Sequence, residues 1–258
     1  MSTVEINPLP AELVTPILGN EIFKANPEAA FWLGVVADRE IVILPEEYEA
    51  SGVLRANVYI DEMGFLPIED RDVNGIESDI DDKRSTHIAV LENLTDSSRV
   101  VGTSRLIHKD TENNVLPVEE LFSESFSEPA QVGSTEVSRF IARNPSRPVQ
   151  GSISLSLIRS LTLEAHRQES KYVYAVVERH LANLFAKIGL PFVEVSESRM
   201  LDEYNSVNLA IRFEPEHILN EVASDTDGKR IVTHFFGQSA LNGALGYYDK
   251  KLVNHLGN

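Results

Sequence analysis

Charged side chains occur in this sequence where strands and helices would be expected to be apolar. Glu136 and Arg139 lie in TEVSRFIA (135–142) among Val137, Phe140 and Ile141. Arg105 interrupts RVVGTSRLI (99–107), Arg55 sits in a helical stretch, and Glu77, Asp79 and Asp82 crowd an acidic segment. Embedding such groups is costly unless they are paired. Two readings follow. The charges form a salt-bridge network that pins the acidic segment to a sheet, or they line a cleft and organise a substrate there. In the second reading a carboxylate can accept a proton from a reacting group. The spacing of Glu136 and Arg139 sharpens the choice. Side chains on a strand alternate faces, so residues three apart should point oppositely. Either the two do unrelated work, or the strand carries a bulge that turns both into one cleft.

The chain has 258 residues, 42% of them hydrophobic, which is enough for one sizeable core. Cysteine is absent, which excludes disulfides and a Cys nucleophile and agrees with a reducing cytoplasm. MSTVEINPLPAELV lacks the pattern of a secretory signal. No apolar run approaches the roughly 18 residues of a membrane span, so a soluble, cytoplasmic protein is expected. A net charge of −17 opposes binding to nucleic acid. Against that background, segment 139–171 carries six basic residues and two acidic ones, Glu164 and Glu169. Such an island is a solvated helix face or a dock for an anionic ligand.

Residues 1–45 read as an N-terminal extension punctuated by Pro8, Pro10, Pro16 and Pro27, with IVIL (41–44) as one strand. A core is expected over 46–215. It opens with a helix whose regularity Gly52 weakens, followed by an acidic loop over about 67–85. HIAVLE (87–92) and RVVGTSRLI read as antiparallel strands, VLPVEELF as a short helical or irregular link, and TEVSRFIA as the next strand. In 153–167, Ile153, Leu157, Leu161 and Ala165 form one helical stripe. YVYAVV (172–177) is a doubly buried strand, ERHLANLFAKIGL a helix stopped by Gly189, and FVEV (192–195) a strand. RIVTHFF (230–236) is a further strand candidate within a C-terminal extension, 216–258, expected to pack on the core. The order predicts an α/β fold with a mixed sheet covered by helices.

Nucleotide-binding glycine loops, HExxH and GxSxG are absent, and the seven His are scattered. DRDVNGIESDID (70–81) has Asp70, Asp72, Asn74, Gly75 and Asp81 at EF-hand spacing. It departs at Glu77, ends on Asp81 rather than Glu, and precedes a strand, so it reads as a solvated acidic loop with no metal. NPSRPVQGS is more suggestive. Gly151 permits close approach, the free amides of a helix start attract anions, and Arg143 and Arg147 would add charge-assisted bonds. An ordinary cap by Ser152 or Ser154 is the plainer alternative.

Four clusters in fixed order carry a resemblance over roughly residues 50–200. They are Arg55…Val58-Tyr59-x-x-Glu62-x-Gly64-Phe65, Glu77-x-Asp79-x-x-Asp82, Gly102-Thr-Ser-Arg105-Leu106 and Glu136-Val-Ser-Arg139-Phe140. This pattern resembles the acyl-homoserine-lactone (autoinducer) synthases, the long-chain N-acyl amino acid synthases and the exosortase-associated acyltransferases, all of the GNAT superfamily. The resemblance implies the GNAT acyl-CoA N-acyltransferase fold, with a mostly antiparallel mixed sheet split into a V that holds an acyl thioester. It implies a β-bulge in 135–142, with a backbone N–H near Phe140 or Ile141 polarising the thioester carbonyl. It also implies a phosphopantetheine phosphate at Gln150, Gly151 and Ser152.

The implied chemistry is direct attack of an amine on the thioester, without a covalent enzyme intermediate or a bound cofactor. Glu136 would accept the proton. Arg105, Arg139 and Asp79 would organise the site with Asp82 in support, and Arg55, Tyr59 and Phe65 would form an acceptor lid. The donor would be acyl-CoA or an acyl carrier protein, received at the basic island, and the acceptor an amino acid or similar small amine. Autoinducer synthases usually have Trp where Phe65 stands. His87 and LPVEEL (116–121) are closer to the exosortase-associated and N-acyl amino acid branch. Lactone synthesis and a non-catalytic acyl-binding module are the alternatives.

Overall fold

The structure, a computed structural model, describes residues 31–36, 39–44, 49–93, 98–111, 114–126, 128–143 and 150–224. Arg147 and the strand candidate at 230–236 lie outside them. Nine strands form one sheet among the described residues, in the order β1-β2-β3-β4-β5-β6-β9-β7, with β8 also paired to β9. β1 (Phe31–Val36) and β2 (Arg39–Leu44) come from the stretch expected to be an extension. β2 pairs with β3 (Ser85–Asn93) from Arg39 to Leu44, carrying the sheet past the expected start of the core.

β4 (Ser98–Lys109) pairs antiparallel with β3 and with β5 (Ser134–Ala142). β6 (Val173–Glu178), β7 (Val193–Glu194), β8 (Arg199–Leu201) and β9 (Ser206–Phe213) complete the sheet. Every pairing is antiparallel except that of β5 with β6. That parallel contact covers only Thr135–Val173, Glu136–Tyr174 and Val137–Ala175. Beyond it β5 stays with β4 and β6 with β9, so the sheet opens into the expected V.

Helices cover both faces. On the back, the expected stripe Ile153, Leu157, Leu161 and Ala165 of α3 (Gln150–Arg167) is buried against Ile88, Val90 and Leu106. α5 (Pro215–Ser224) adds Ile218 and Leu219 to that cluster. α4 (Arg179–Ile188) ends at Gly189, whose φ of 79° gives the left-handed turn that stops a helix. On the front lie α1 (Glu49–Arg55), continued by π-helical turns over Ala56–Glu62, and the short α2 (Pro117–Leu121). Leu116, Val118 and Phe122 around α2 bury Ile107, Tyr174 and Ala210. The acidic segment is mostly irregular, with 3-10 turns at Ile68–Asp70 and Ile80–Arg84.

α3 reaches the sheet closely because Gly102 of β4 has no side chain. A Cβ there would stand 2.7 Å from Ile153 Cγ2, 3.1 Å from Ile141 O and 3.3 Å from Leu157 Cδ1. Gly102→Ala is therefore expected to destabilise the protein by about 1–3 kcal/mol through overpacking. Urea unfolding would measure it, and a variant within a few tenths of the parent would show that α3 can yield.

Candidate active site

The bulge resolves the spacing of Glu136 and Arg139. In β4–β5 the register passes from Thr103↔Ile141 to Arg105↔Ser138, so β5 carries one extra residue. Arg139 has φ 52°, a left-handed backbone that non-glycine residues rarely adopt. Val137, Phe140 and Ala142 pack on the back-face core. Ser138 is paired with Arg105, whose side chain lies among the front-face charges. The inserted residue turns Arg139 to that same front face, which Glu136 shares. Arg139 lies just past the last β5–β6 pair, at the mouth of the V.

Three arginines and three carboxylates form a closed ring there. Arg55 gives a two-pronged bond to Asp82, Nη1–Oδ1 2.8 Å and Nη2–Oδ2 3.0 Å, and its Nε donates to Glu77. Arg105 grips Asp79 with Nη1–Oδ1 2.6 Å and Nη2–Oδ2 2.7 Å, and reaches Asp82 Oδ1 at 2.5 Å. Arg139 closes the circuit, its Nη2 3.0 Å from Glu77 Oε1 and 2.9 Å from Asp79 Oδ2. Each carboxylate thus receives two arginines, and the six formal charges cancel.

Four of the ring's members show the mutual pull of opposite charges. Burial pushes the Asp82 and Asp79 carboxyls up, but the hydrogen bonds and charges of their arginines outweigh it and hold both below the usual range. Burial alone would lower Arg55 and Arg105, yet their carboxylate partners raise both. The acidic segment enters the ring because α1 gives it room. A Cβ on Gly52 would stand 2.5 Å from Ile76 Cγ2 and 3.0 Å from Glu77 O, and Gly52 O accepts from Glu77 N at 3.2 Å. The residue that weakens α1 as a helix is what lets 76–77 lie against it. The EF-hand-like residues turn elsewhere. Asp72 accepts from the backbone N–H groups of Asn74 and Ile76, and Asp81 pairs with Arg84.

Glu136 stands apart from the ring. Its side chain is buried beneath α2, and Oε2 accepts from Val118 N at 2.9 Å. Burial pushes its carboxyl up to about 8, against the opposing pull of the Val118 hydrogen bond and the Arg105 charge. Tyr59 donates its hydroxyl to Phe140 O at 3.2 Å, which ties the π-helical segment to the bulge, and the Arg139 guanidinium lies 5.6 Å from its ring centre. Burial pushes the Tyr59 phenol up to about 12. Phe65, 6.5 Å from Tyr59, packs edge-on to Tyr204 at 5.3 Å. That contact joins the α1 side of the V to the β8–β9 turn on the other. A polar cavity of about 380 Å³ adjoins the ring, lined by Ser51, Arg55, Lys83 and His87 among others. His87 is buried against Asp82, and burial depresses its imidazole.

Arg139, Arg105, Asp79, Asp82, Arg55, Tyr59 and Phe65 therefore converge around the mouth of the V, while Glu136 shares their face of the sheet but lies within the paired part of β5–β6, beneath α2. Among the donor-side residues, Phe140 and Ile141 flank the bulge. Gln150, Gly151 and Ser152 form the first turn of α3. Arg143 is paired with Glu62 at the surface. Sequence reasoning missed Tyr204, because the β8–β9 region has no legible pattern, and it missed the Val118 N–H, which is backbone. A signal for the latter existed, since Pro117 and Glu119 mark a helix start.

The segment 54–155 matches the acetyltransferase (GNAT) domain family, and the split sheet with its flanking helices is the acyl-CoA N-acyltransferase fold. That segment, about two-fifths of the chain, is GNAT-like. Within that class the chain is similar to BjaI, a CoA-dependent acyl-homoserine lactone synthase solved with MTA, at 16% identity and TM-score 0.56, over 78% of this chain and 90% of that one. TofI, solved in a ternary complex with an inhibitor and MTA, matches at 19% and 0.51, over 72% and 91%. The AHL synthase LasI matches at 19% and 0.52, over 69% and 89%. Sequence comparison with curated proteins finds no match. Among the described residues no helix is long and apolar enough to cross a membrane.

Removing Arg105 leaves Asp79 and Asp82 with one arginine each and the ring with one negative charge in excess. Arg105→Met is expected to cost roughly 3–5 kcal/mol of stability, read by chemical denaturation. A loss below about 1 kcal/mol would mean that Asp79 and Asp82 find other partners. Glu136 acts in the opposite sense. Its folded pKa exceeds the unfolded one, so between pH 4.5 and about 8 the unfolded chain binds fewer protons and stability falls as pH rises. Glu136→Gln should remove that fall, and parallel stability–pH curves for parent and variant would contradict it.

Proposed function

We propose that this protein is an N-acyltransferase that moves a long-chain acyl group from a thioester to the amine of an amino acid or similar small molecule. The observation that carries the reading is Glu136. It is a buried carboxyl held near pH 8, on the same face as a bulged Arg139, one residue short of the last β5–β6 pair before the sheet splits. A base titrating near the working pH is suited to deprotonate an attacking ammonium.

The amine nitrogen attacks the thioester carbonyl carbon as Glu136 takes its proton, directly or through one water. The tetrahedral oxyanion is met by backbone N–H at Phe140 or Ile141. The C–S bond then breaks, and the thiolate leaves and is protonated. No residue is acylated, so the absence of cysteine is no obstacle. Catalysis rests on holding two reactants together and on fixed dipoles. Arg105, Arg139, Asp79 and Asp82 order the mouth, and the cavity beside Arg55 offers polar room for the acceptor.

The first turn of α3, with Gln150, Gly151 and Ser152, is the proposed seat of the pantetheine phosphate. Arg143, whose surface pair with Glu62 is easily exchanged, would assist from the strand end. Likeness to a CoA-dependent synthase supports a CoA-type donor, while the basic island keeps an acyl carrier protein in view. Acyl-homoserine-lactone synthesis is the second reading, favoured by the folds of BjaI and LasI. Phe65, standing where Trp is usual, argues against it.

Expression in a bacterium followed by mass spectrometry of lipid extracts should reveal N-acylated amino acids, whereas lactones would select the second reading. Glu136→Gln should lower turnover by about 10²–10⁴-fold with the fold intact. In the parent, kcat/KM should rise with pH through about 8; a variant with full activity on the true substrate would remove Glu136 from the mechanism. Phe65→Ala opens the contact with Tyr204 and should raise the acceptor KM by roughly tenfold, as expected for one lost aromatic packing interaction. An unchanged KM would place the acceptor elsewhere.

A further inference from the structure

We infer that Glu119 and Lys109, within and beside the LPVEEL stretch, are positioning residues that set the basicity of Glu136 by holding the Val118 N–H against it. This inference rests on the proposed role of Glu136. α2 has only five residues, far below the length at which a helix persists by itself, so something else must fix its first turn. Glu119 supplies the anchor. Its Oε2 accepts from Leu116 N at 2.8 Å and its Oε1 from Ala130 N at 2.9 Å, while Lys109 Nζ reaches the two oxygens at 2.8 and 3.1 Å. Lys109 closes the end of β4 and is 3% exposed.

The carboxylate thereby ties the helix start, the loop at 130 and strand β4 into one unit. Val118, two residues from Leu116 and one from Glu119, is fully buried and donates to Glu136 Oε2. The other charged groups acting on Glu136 are Arg105 from β4 and Asp81 and Arg84 from the acidic segment. No hydrogen bond or ion pair joins them to Glu119 or Lys109, although Arg84 is a second tether of the approach to α2, donating to Val115 O at 2.7 Å and to His108 O at 3.3 Å. Releasing the anchor should therefore remove one hydrogen bond to the ionised form of Glu136 and leave its charge surroundings in place. A carboxylate that loses a donor becomes more basic.

The test is a titration of the Glu136 carboxyl carbon by NMR, in the full-length protein and in Lys109→Met and Glu119→Gln. Both variants should move the midpoint upward by about one pH unit, the scale of one hydrogen bond. Lys109→Arg, which keeps the charge, should restore most of the parental value. The acidic limb of the kcat/KM profile should follow the same shift. In the unmodified protein the Val118 amide proton should titrate with the Glu136 midpoint, a reading that needs no variant to fold. A Glu136 midpoint unchanged in the folded variants, or a Val118 amide indifferent to it, overturns the inference. Loss of stability alone would mean that the pair is only a scaffold. The titration is made without substrate, so it stands or falls separately from the catalytic role, which Glu136→Gln decides.

Discussion

The front of this molecule is organised by the mutual neutralisation of Arg55, Arg105 and Arg139 with Glu77, Asp79 and Asp82. Arg105 is 1% exposed and Glu77 likewise, and neither would be tolerated there alone. Because each group is shared by two of opposite sign, the ring holds three separate pieces of chain together: α1, the acidic segment, and the strand pair β4–β5. Once these are fixed, Tyr59 falls on the bulge and Phe65 reaches Tyr204 across the split. The network that looks like a purely structural alternative to an active site is also what shapes the mouth of the V.

Glu136 differs from the ring carboxylates by environment rather than by type. Asp79 and Asp82 are partly buried among guanidinium groups that hold their carboxyls below the usual range, whereas Glu136 is buried beside apolar residues of α2 with a single backbone donor. One face of one sheet therefore carries acids at opposite ends of the carboxyl range. That separation is what distinguishes groups that hold a charge from a group that can exchange a proton.

Much of this was legible in the sequence. The helical stripe of α3 and the stop at Gly189 follow from periodicity and turn chemistry, whereas β6, expected to be buried on both faces, is buried only over Val173–Ala175 and half-buried beyond, where the sheet opens. The charged clusters were visible because charge is conspicuous in apolar strands. What periodicity does not encode is the partner of each charge: Arg55 gives no sign in the sequence that it meets Glu77 and Asp82. β9 escaped notice because SVNLAIRF buries Asn208 next to Leu209, which blurs the alternation a half-buried strand would show. β8 is three residues long, too short for any pattern. Backbone donors such as the Val118 N–H have no residue type to betray them.

A six-membered circuit in which every vertex serves two neighbours also constrains how such a sequence can diverge. Replacing any one member takes a partner from two neighbours of the same sign and unbalances the ring's charge, so drift through the ring one position at a time is penalised. Substitutions at 55, 77, 79, 82, 105 and 139 should be inherited in compensating sets or not at all, which makes joint variation at these positions a marker of where one specificity has given way to another.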